Sequence, residues 1–133
     1  LENINYAGNG PLESYLNYDN HRYFFSVSYS NLGEITDDIY PISYQLFQNY
    51  PNPFNPFTKI EYELPRTGLV SLKIFDITGR EVVSLINEVQ KPGRKFALWD
   101  ATNKLGQFVS AGTYIYTIQV GNFRQTKKMV LLK

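Results

Sequence analysis

The chain has 133 residues, 43% of them apolar and 19% charged, with a net charge of +1; that is room for one core-forming domain, or a domain plus a fragment of another. It has no Cys, which excludes disulfides, thiolate metal sites and a Cys nucleophile, and no apolar run nears the ~20 residues that a bilayer-crossing helix needs. Residues 1–40 carry six acids and one base while the remainder carries six acids and twelve bases; these bases are dispersed over several strands, the pattern of a solubility device and not of a nucleic-acid surface.

Aromatic residues make up 16% of the chain and eleven of them are Tyr, which favours strands throughout. The start, Leu1-Glu2-Asn3, has no Met, basic stretch or apolar stretch, and so reads as a mature piece or a proteolytic fragment. Residues 1–20 are polar, with a turn at Gly8-Asn9-Gly10-Pro11. A strand is predicted over Tyr23–Tyr29, with Tyr23, Phe25, Val27 and Tyr29 alternating onto one face, followed by a turn at Asn31-Leu32-Gly33. Glu34 to Asp38 reads as an acidic spacer, and residues 1–43 as an upstream linker or the remnant of a preceding β domain.

From residue 44 onward the pattern is that of a sandwich. Tyr44-Gln45-Leu46-Phe47 precedes Asn49-Tyr50-Pro51-Asn52-Pro53-Phe54-Asn55-Pro56, whose three prolines cannot pair in a ladder. Ile60, Tyr62 and Leu64 then alternate with Lys59, Glu61 and Glu63, and Val70, Leu72 and Ile74 with Ser71, Lys73 and Phe75. Asp76-Ile77-Thr78-Gly79 is a tight turn with Gly79 placed for a positive φ. A fourth strand covers Glu81 to Asn87; residues 83–90 also carry a faint helical spacing, too short and too β-branched for a helix. Phe96 and Leu98 point one way from a fifth strand, before a polar loop from Asp100 to Ser110. Gly112 opens a strand with Tyr114, Tyr116, Ile118 and Val120 inward, Gly121-Asn122 is a hairpin turn, and the last strand runs from Phe123 to Leu132. The expectation is an all-β, immunoglobulin-like sandwich of about seven antiparallel strands over residues 44–133, with an N-terminal strand or hairpin extension.

Several of these segments also carry a resemblance. Pro51-Asn52-Pro53-Phe54, Gly79-Arg80, Trp99-Asp100, Gly106, Gly112-Thr113-Tyr114 and the terminal Lys127-Lys128-Met129-Val130-Leu131-Leu132-Lys133 fall in an order and at intervals that resemble the type A C-terminal sorting domain of the type IX (Por) secretion system. After Trp99-Asp100 this chain has Ala101-Thr102-Asn103, where members of that family often have Gly and a further acid. The resemblance implies a non-enzymatic domain at the end of a larger exported cargo, secreted or held at the cell surface after passage through periplasm and outer membrane. Its implied partners are the outer-membrane translocon and a surface transpeptidase that cleaves before the domain and anchors the cargo. Residues 15–34 resemble the last two strands of a fibronectin type III domain.

Each motif also has a purely structural reading. The Pro51-Asn52-Pro53-Phe54 segment blocks edge pairing, with Phe54 or Phe57 plugging the end of the sandwich. The terminal Lys127–Lys133 segment is the candidate for translocon recognition: an edge strand offering backbone groups to a partner by β-augmentation, steered by its lysines. Deleting Val130–Lys133 is then expected to block export and leave the domain folded. Glu61 and Glu63 sit about 6.5–7 Å apart on one solvated strand face, against the ~5–5.5 Å of a retaining glycosidase pair. Asp100 and Asn103 suit an Asx-turn better than Ca²⁺. His21 lacks partners for a triad or a zinc site, and Trp99 fits a core better than a sugar-stacking surface. No cofactor or metal is expected. Two non-sorting readings remain: a self-associating subunit of an extracellular filament or surface layer, motivated by an unpaired Tyr23–Tyr29 strand, and a carbohydrate-binding accessory module, motivated by exposed aromatics in residues 1–50.

Overall fold

The computed structural model describes the backbone of residues 12–18, 21–29 and 35–133, and side chains from Tyr40 onward. The turns expected at Gly8–Pro11 and Asn31–Gly33 lie outside the described residues. In chain order the strands are β1 (Leu12–Tyr18), β2 (His21–Tyr29), β3 (Ile35–Pro41), β4 (Gln45–Leu46), β5 (Thr58–Leu64), β6 (Gly68–Asp76), β7 (Glu81–Gln90), β8 (Gly93–Trp99), β9 (Gly112–Val120) and β10 (Phe123–Leu131).

The first three form an antiparallel sheet of order β1-β2-β3. Two expectations change there. The strand at Tyr23–Tyr29 is not unpaired: it is the middle strand, with Leu12 opposite Val27 on one side and Ile35 opposite Tyr29 on the other. The acidic spacer is also a strand, for Asp37 and Asp38 stand opposite Val27 and Ser26. Backbone pairing is indifferent to side-chain charge, and acids on an edge strand discourage further pairing beyond it.

The other seven strands form the expected sandwich, a four-stranded sheet β10-β9-β6-β7 facing a three-stranded sheet β4-β5-β8, all neighbours antiparallel. The three alternating rows read from the sequence are its interior. Ile60, Tyr62 and Leu64 from β5 meet Val70, Leu72 and Ile74 from β6 and Tyr114, Tyr116, Ile118 and Val120 from β9, and all of them are buried. Each large apolar side chain moved from water into such an interior is worth about 1.5–3 kcal/mol. The core is closed at one end by Trp99, whose ring lies edge-on to Tyr114 at 5.4 Å and tilted against Phe54 at 5.7 Å. Phe54 is therefore the plug, while Phe57 is exposed.

Strand β7 does not alternate. Its pairing with β6 shifts register twice, between Leu72 and Lys73 and between Ile74 and Phe75. Each shift adds a residue to β7 and turns its next side chain over. Val82, Val83, Leu85 and Ile86 all reach the core as a result, and that spacing is what mimics a helix in the sequence.

The strands define two ends. At the distal end Thr58 pairs with Trp99, Asp76 with Tyr114, and Gly112 with Leu131. At the proximal end Gln45 pairs with Glu63, Gly68 with Gln90, and Val120 with Phe123, and Tyr44 stacks on Phe123 at 5.0 Å. The chain thus enters the sandwich proximally and finishes distally.

Just after Trp99, Ala101 is buried with φ +64°, a left-handed conformation that strains a Cβ. The resemblance puts glycine here, and the backbone explains why. Ala101→Gly should stay within about 1 kcal/mol of the parent. Relief of ~1 kcal/mol of strain offsets loss of a buried methyl worth ~0.8 kcal/mol and the added freedom of the unfolded chain. Ala101→Val should cost more than about 1–3 kcal/mol, since a β-branched residue adds strain to overpacking. Urea denaturation of both variants checks the contrast.

Candidate recognition surface

The terminal strand β10 is the edge of the four-stranded sheet. Its hairpin register places odd-numbered residues opposite β9 partners such as Lys127↔Tyr116 and Met129↔Tyr114. Met129 and Leu131 are buried in the core, and Lys127 is half-buried on the same face. Lys128, Val130 and Leu132 point the other way: Lys128 and Leu132 are exposed and Val130 is half-buried. The two lysines therefore lie on opposite faces. Lys133 is exposed beyond the strand.

The edge of β10 is not open over this stretch. The proline segment runs alongside it, with Phe54 bridged in parallel to Leu131. The Phe54 amide donates to Val130 O (3.0 Å) and the Leu132 amide donates to Phe54 O (2.9 Å). Asn52 Oδ1 accepts from the Val130 amide at 3.0 Å, and Gln48 Nε2 donates to Lys128 O at 2.7 Å. Pro51 and Pro53 remain exposed, flanking these contacts. Prolines do block a full ladder, but one Phe backbone and two amide side chains between and before them are enough to seal the edge. Among the described residues the outward amides of Arg124, Thr126 and Lys128 meet no such partner. The expected effect of deleting Val130–Lys133 changes accordingly: the cut removes the buried Leu131 and the backbone that Phe54 and Asn52 hold, so folding would suffer along with any recognition.

The segment is itself anchored from beneath. The buried Tyr116 hydroxyl accepts from the Asn49 amide and donates to Phe47 O, both at 2.8 Å. Burial pushes this phenol up to about 12, partly offset by the hydrogen bond from Asn49. The buried Asn49 donates through Nδ2 to Thr58 Oγ1 (2.9 Å) and Pro51 O (3.1 Å), and Thr58 Oγ1 also donates to Pro51 O (2.9 Å). The Tyr50-Pro51, Asn52-Pro53 and Asn55-Pro56 bonds are all cis. Sequence reasoning named the prolines and missed Tyr116, Asn49 and Thr58. The available signal was that a Tyr in an inward apolar row must find a partner for its hydroxyl. Tyr114 and Tyr62 obey the same rule, donating to Ser110 O (2.6 Å) and Gln90 Oε1 (2.5 Å).

The other motif residues build the distal connections. Gly79 has φ +91° in the turn, where its amide donates to Asp76 O. Asp76 Oδ1 accepts from Thr78 Oγ1 (2.6 Å) and from the Thr78 and Arg80 amides (2.9 and 3.0 Å). These bonds, led by the Thr78 hydroxyl, hold its carboxyl down to about 2. Because the folded value lies below the unfolded one of about 3.9, the stability it supplies is present above pH ~4 and lost as pH falls through ~2. A carboxyl-carbon NMR titration should therefore find Asp76 still ionised near pH 3, where free Asp is protonated.

Trp99 Nε1 donates to Thr102 O, and Asp100 Oδ1 accepts from Thr102 Oγ1. Asn103 Oδ1 accepts from the Leu105 and Gln107 amides, the Asx arrangement expected. Gly106 (φ +79°) turns this loop and Gly112 (φ +146°) opens β9. Among the described residues no group of three or more His, Cys, Asp or Glu stands where it could hold a metal ion, and no helix is long and apolar enough to cross a membrane.

The two strand carboxylates are not alike. Glu61 is partly exposed, but the Glu63 side chain is only 2% exposed, which corrects the solvated-face expectation. Arg94 stands over both, at 3.0 Å from Glu61 and 3.6 Å from Glu63, with its guanidinium 4.6 Å from the centre of the Phe47 ring. The Arg94 hydrogen bond is the main cause that holds Glu61 below the usual carboxylate range. A shared cation between two carboxylates is a structural clamp, not an acid–base pair.

This architecture is an immunoglobulin-like sandwich whose polar side chains serve turns, tethers and an edge seal. Residues 48–132 match the family described as the secretion system C-terminal sorting domain, and the chain belongs to that family. The family is non-catalytic, and membership implies export through the outer membrane to the cell surface or the extracellular space. The fold is shared with dimeric latent PorU from Porphyromonas gingivalis, at 18% identity and a TM-score of 0.56 over 84% of this chain and 12% of that one. PorZ from the same organism, described as an essential bacterial surface component of its type-IX secretion system, aligns at 14% identity and a TM-score of 0.48 over 92% of this chain and 23% of that one. This chain thus spans well under two thirds of either. No curated protein matches it.

Proposed function

We propose that this chain is the sorting and anchoring end of a larger cargo, carried by the type IX translocon and handed to a surface transpeptidase, and that it performs no chemistry itself. The observation that supports this most is the match of residues 48–132 to the sorting-domain family; the sealed terminal strand bears on how a partner would meet it. Backbone groups of Lys128, Val130 and Leu132 are taken up by Gln48, Asn52 and Phe54, so β-augmentation along those residues would first have to break internal bonds. Recognition in this reading is by side chains: Lys128, Val130 and Leu132 in a row on the outer face, with Lys133 beyond.

A secreted reporter with residues 1–133 fused behind it, expressed in a bacterium with a type IX system, should reach the surface or medium. Lys128→Glu with Leu132→Ser alters only exposed side chains, so stability should change by no more than about 0.5 kcal/mol per site while export falls. A reporter left in the periplasm by the unaltered fusion would overturn the reading; unimpaired export of the double variant would overturn the role of the strand. The filament reading loses its motive because β2 is paired on both edges. The sugar-binding reading cannot draw on Trp99, which is buried.

A further inference from the structure

The seal on β10 covers only part of its edge. The Val130 and Leu132 amides donate outward to Asn52 and Phe54, so the even-numbered residues of this strand turn their backbone groups away from β9. Upstream of the seal that edge is bare. Among the described residues the amides of Arg124, Thr126 and Lys128 and the carbonyls of Arg124 and Thr126 have no hydrogen-bond partner, and all three side chains are exposed. The stretch is bounded at one end by Phe123, stacked on Tyr44, and at the other by Gln48, which donates to Lys128 O. A row of unpaired strand donors and acceptors is a template for another strand.

The charge along this edge has one sign. β10 carries Arg124, Lys127 and Lys128, and no acid occurs from Ile42 to Phe57 or from Gly112 to Lys133, the stretches that make β4, the proline segment, β9 and β10. The acids of β5 and β6, the next strands in, are already matched: Glu61 with Lys59 and Arg94, Glu63 with Arg94, and Asp76 with Arg80. Glu81 and Glu88 lie on β7, the opposite edge of the four-stranded sheet, about 14 Å away by strand spacing. Among the described residues no carboxylate pairs with Arg124, Lys127 or Lys128; Arg124 donates to Gln119 Oε1 (3.0 Å) instead.

We propose that the open stretch Phe123–Lys128 of β10 binds, by β-augmentation, an extended segment of a partner protein that carries carboxylates on alternate residues. The backbone of such a segment meets the bare donors and acceptors. Its acids, all on one face, lie beside Arg124 and Lys128, which project from the outer face of the sheet, and opposite charges across a strand pair favour the pairing. The β10 edge of a second copy, laid antiparallel about Thr126, would set Arg124 against Lys128, and like charges directly opposite disfavour it. A phosphate chain or a lipid headgroup offers acceptors to the amides and leaves the Arg124 and Thr126 carbonyls unanswered. The proposal goes beyond the sorting reading and does not depend on it: a purified chain can take up a peptide whether or not it directs export.

The test is titration of the purified chain with a capped peptide that alternates valine with glutamate and is as long as Phe123–Lys128, read by NMR shifts and amide hydrogen exchange. Saturating peptide should slow exchange at Arg124 and Thr126 by about tenfold or more and leave Val130 and Leu132, whose amides are already held, unchanged. Arg124→Glu with Lys128→Glu alters exposed side chains and should weaken binding by about tenfold or more, and a peptide alternating valine with lysine should not bind. Absence of saturable binding by the unaltered chain overturns the proposal. Binding that leaves Arg124 and Thr126 unprotected overturns it too, since charge alone would then be holding the peptide. Undiminished binding by the double variant, or equal binding of the lysine peptide, overturns the acidic partner. Protection of the same amides that rises with chain concentration in the absence of peptide would assign the edge to a second copy and overturns a separate partner. The first and last of these results need no substituted chain to fold.

Discussion

Trp99→Ala is expected to destabilise the sandwich by about 3–5 kcal/mol, the range for removing a fully buried large aromatic side chain. The ring is the hinge of the distal end. It touches Phe54 and Tyr114, it lies on the last residue of β8 opposite Thr58, and its indole nitrogen holds Thr102 of the following loop. Alanine would leave a cavity between the two sheets and an unanswered carbonyl on the loop, and the plug Phe54 would lose its support. That support reaches the terminal strand, because Phe54 carries both backbone bonds to Val130 and Leu132. Urea denaturation followed by far-ultraviolet circular dichroism measures the loss without depending on the tryptophan signal. A cost below about 1.5 kcal/mol would mean that the neighbouring side chains collapse into the space with little penalty.

Tyr116→Phe should cost about 2–4 kcal/mol although it removes a single oxygen. The ring and its packing remain, but the buried Asn49 amide loses its acceptor, at about 1–3 kcal/mol, and the Phe47 carbonyl loses the donated hydroxyl bond, worth about 0.5–1.5 kcal/mol. The same hydroxyl predicts an alkaline transition. Its folded value of about 12 exceeds the unfolded value of about 10, so its contribution is complete below pH ~10 and is lost as pH rises through ~12. Tyr62 is raised to about 12 chiefly by burial as well and adds to the same window. Melts of the parent between pH 9 and 12 (roughly the span set by those two values) should fall steeply, and Tyr116→Phe should flatten part of that fall.

The sandwich was legible because its interior is built from strict two-residue alternation. Ile60-Tyr62-Leu64, Val70-Leu72-Ile74 and Tyr114-Tyr116-Ile118-Val120 are each one face of one strand, and all are buried. Legibility failed where geometry is not periodic. The two register shifts in β7 bring Val82, Val83, Leu85 and Ile86 all to the core, and no alternation survives them. The fate of Glu63 turned on Arg94, thirty-one residues along the chain, folding over it. Composition alone cannot report such a cover. β3 was hidden because its acids look like a linker when read without their partner strand. For the candidate site, the sequence marked both the proline segment and the terminal strand as unusual. It did not show that the two are one object, since the bonds between them span 78 and 80 positions and use backbone groups that leave no trace in residue type.

The central claim is that this pairing closes the exported chain's last strand, leaving its side chains as what a partner can read. Native-state amide hydrogen exchange tests it most directly, because the outward amides of one strand serve as their own control. Val130 and Leu132, whose amides donate to Asn52 Oδ1 and Phe54 O, should be strongly protected, and Arg124 and Thr126 on the same edge should exchange fast. Exchange at Val130 and Leu132 as fast as at Arg124 and Thr126 would show the edge to be open and would contradict it.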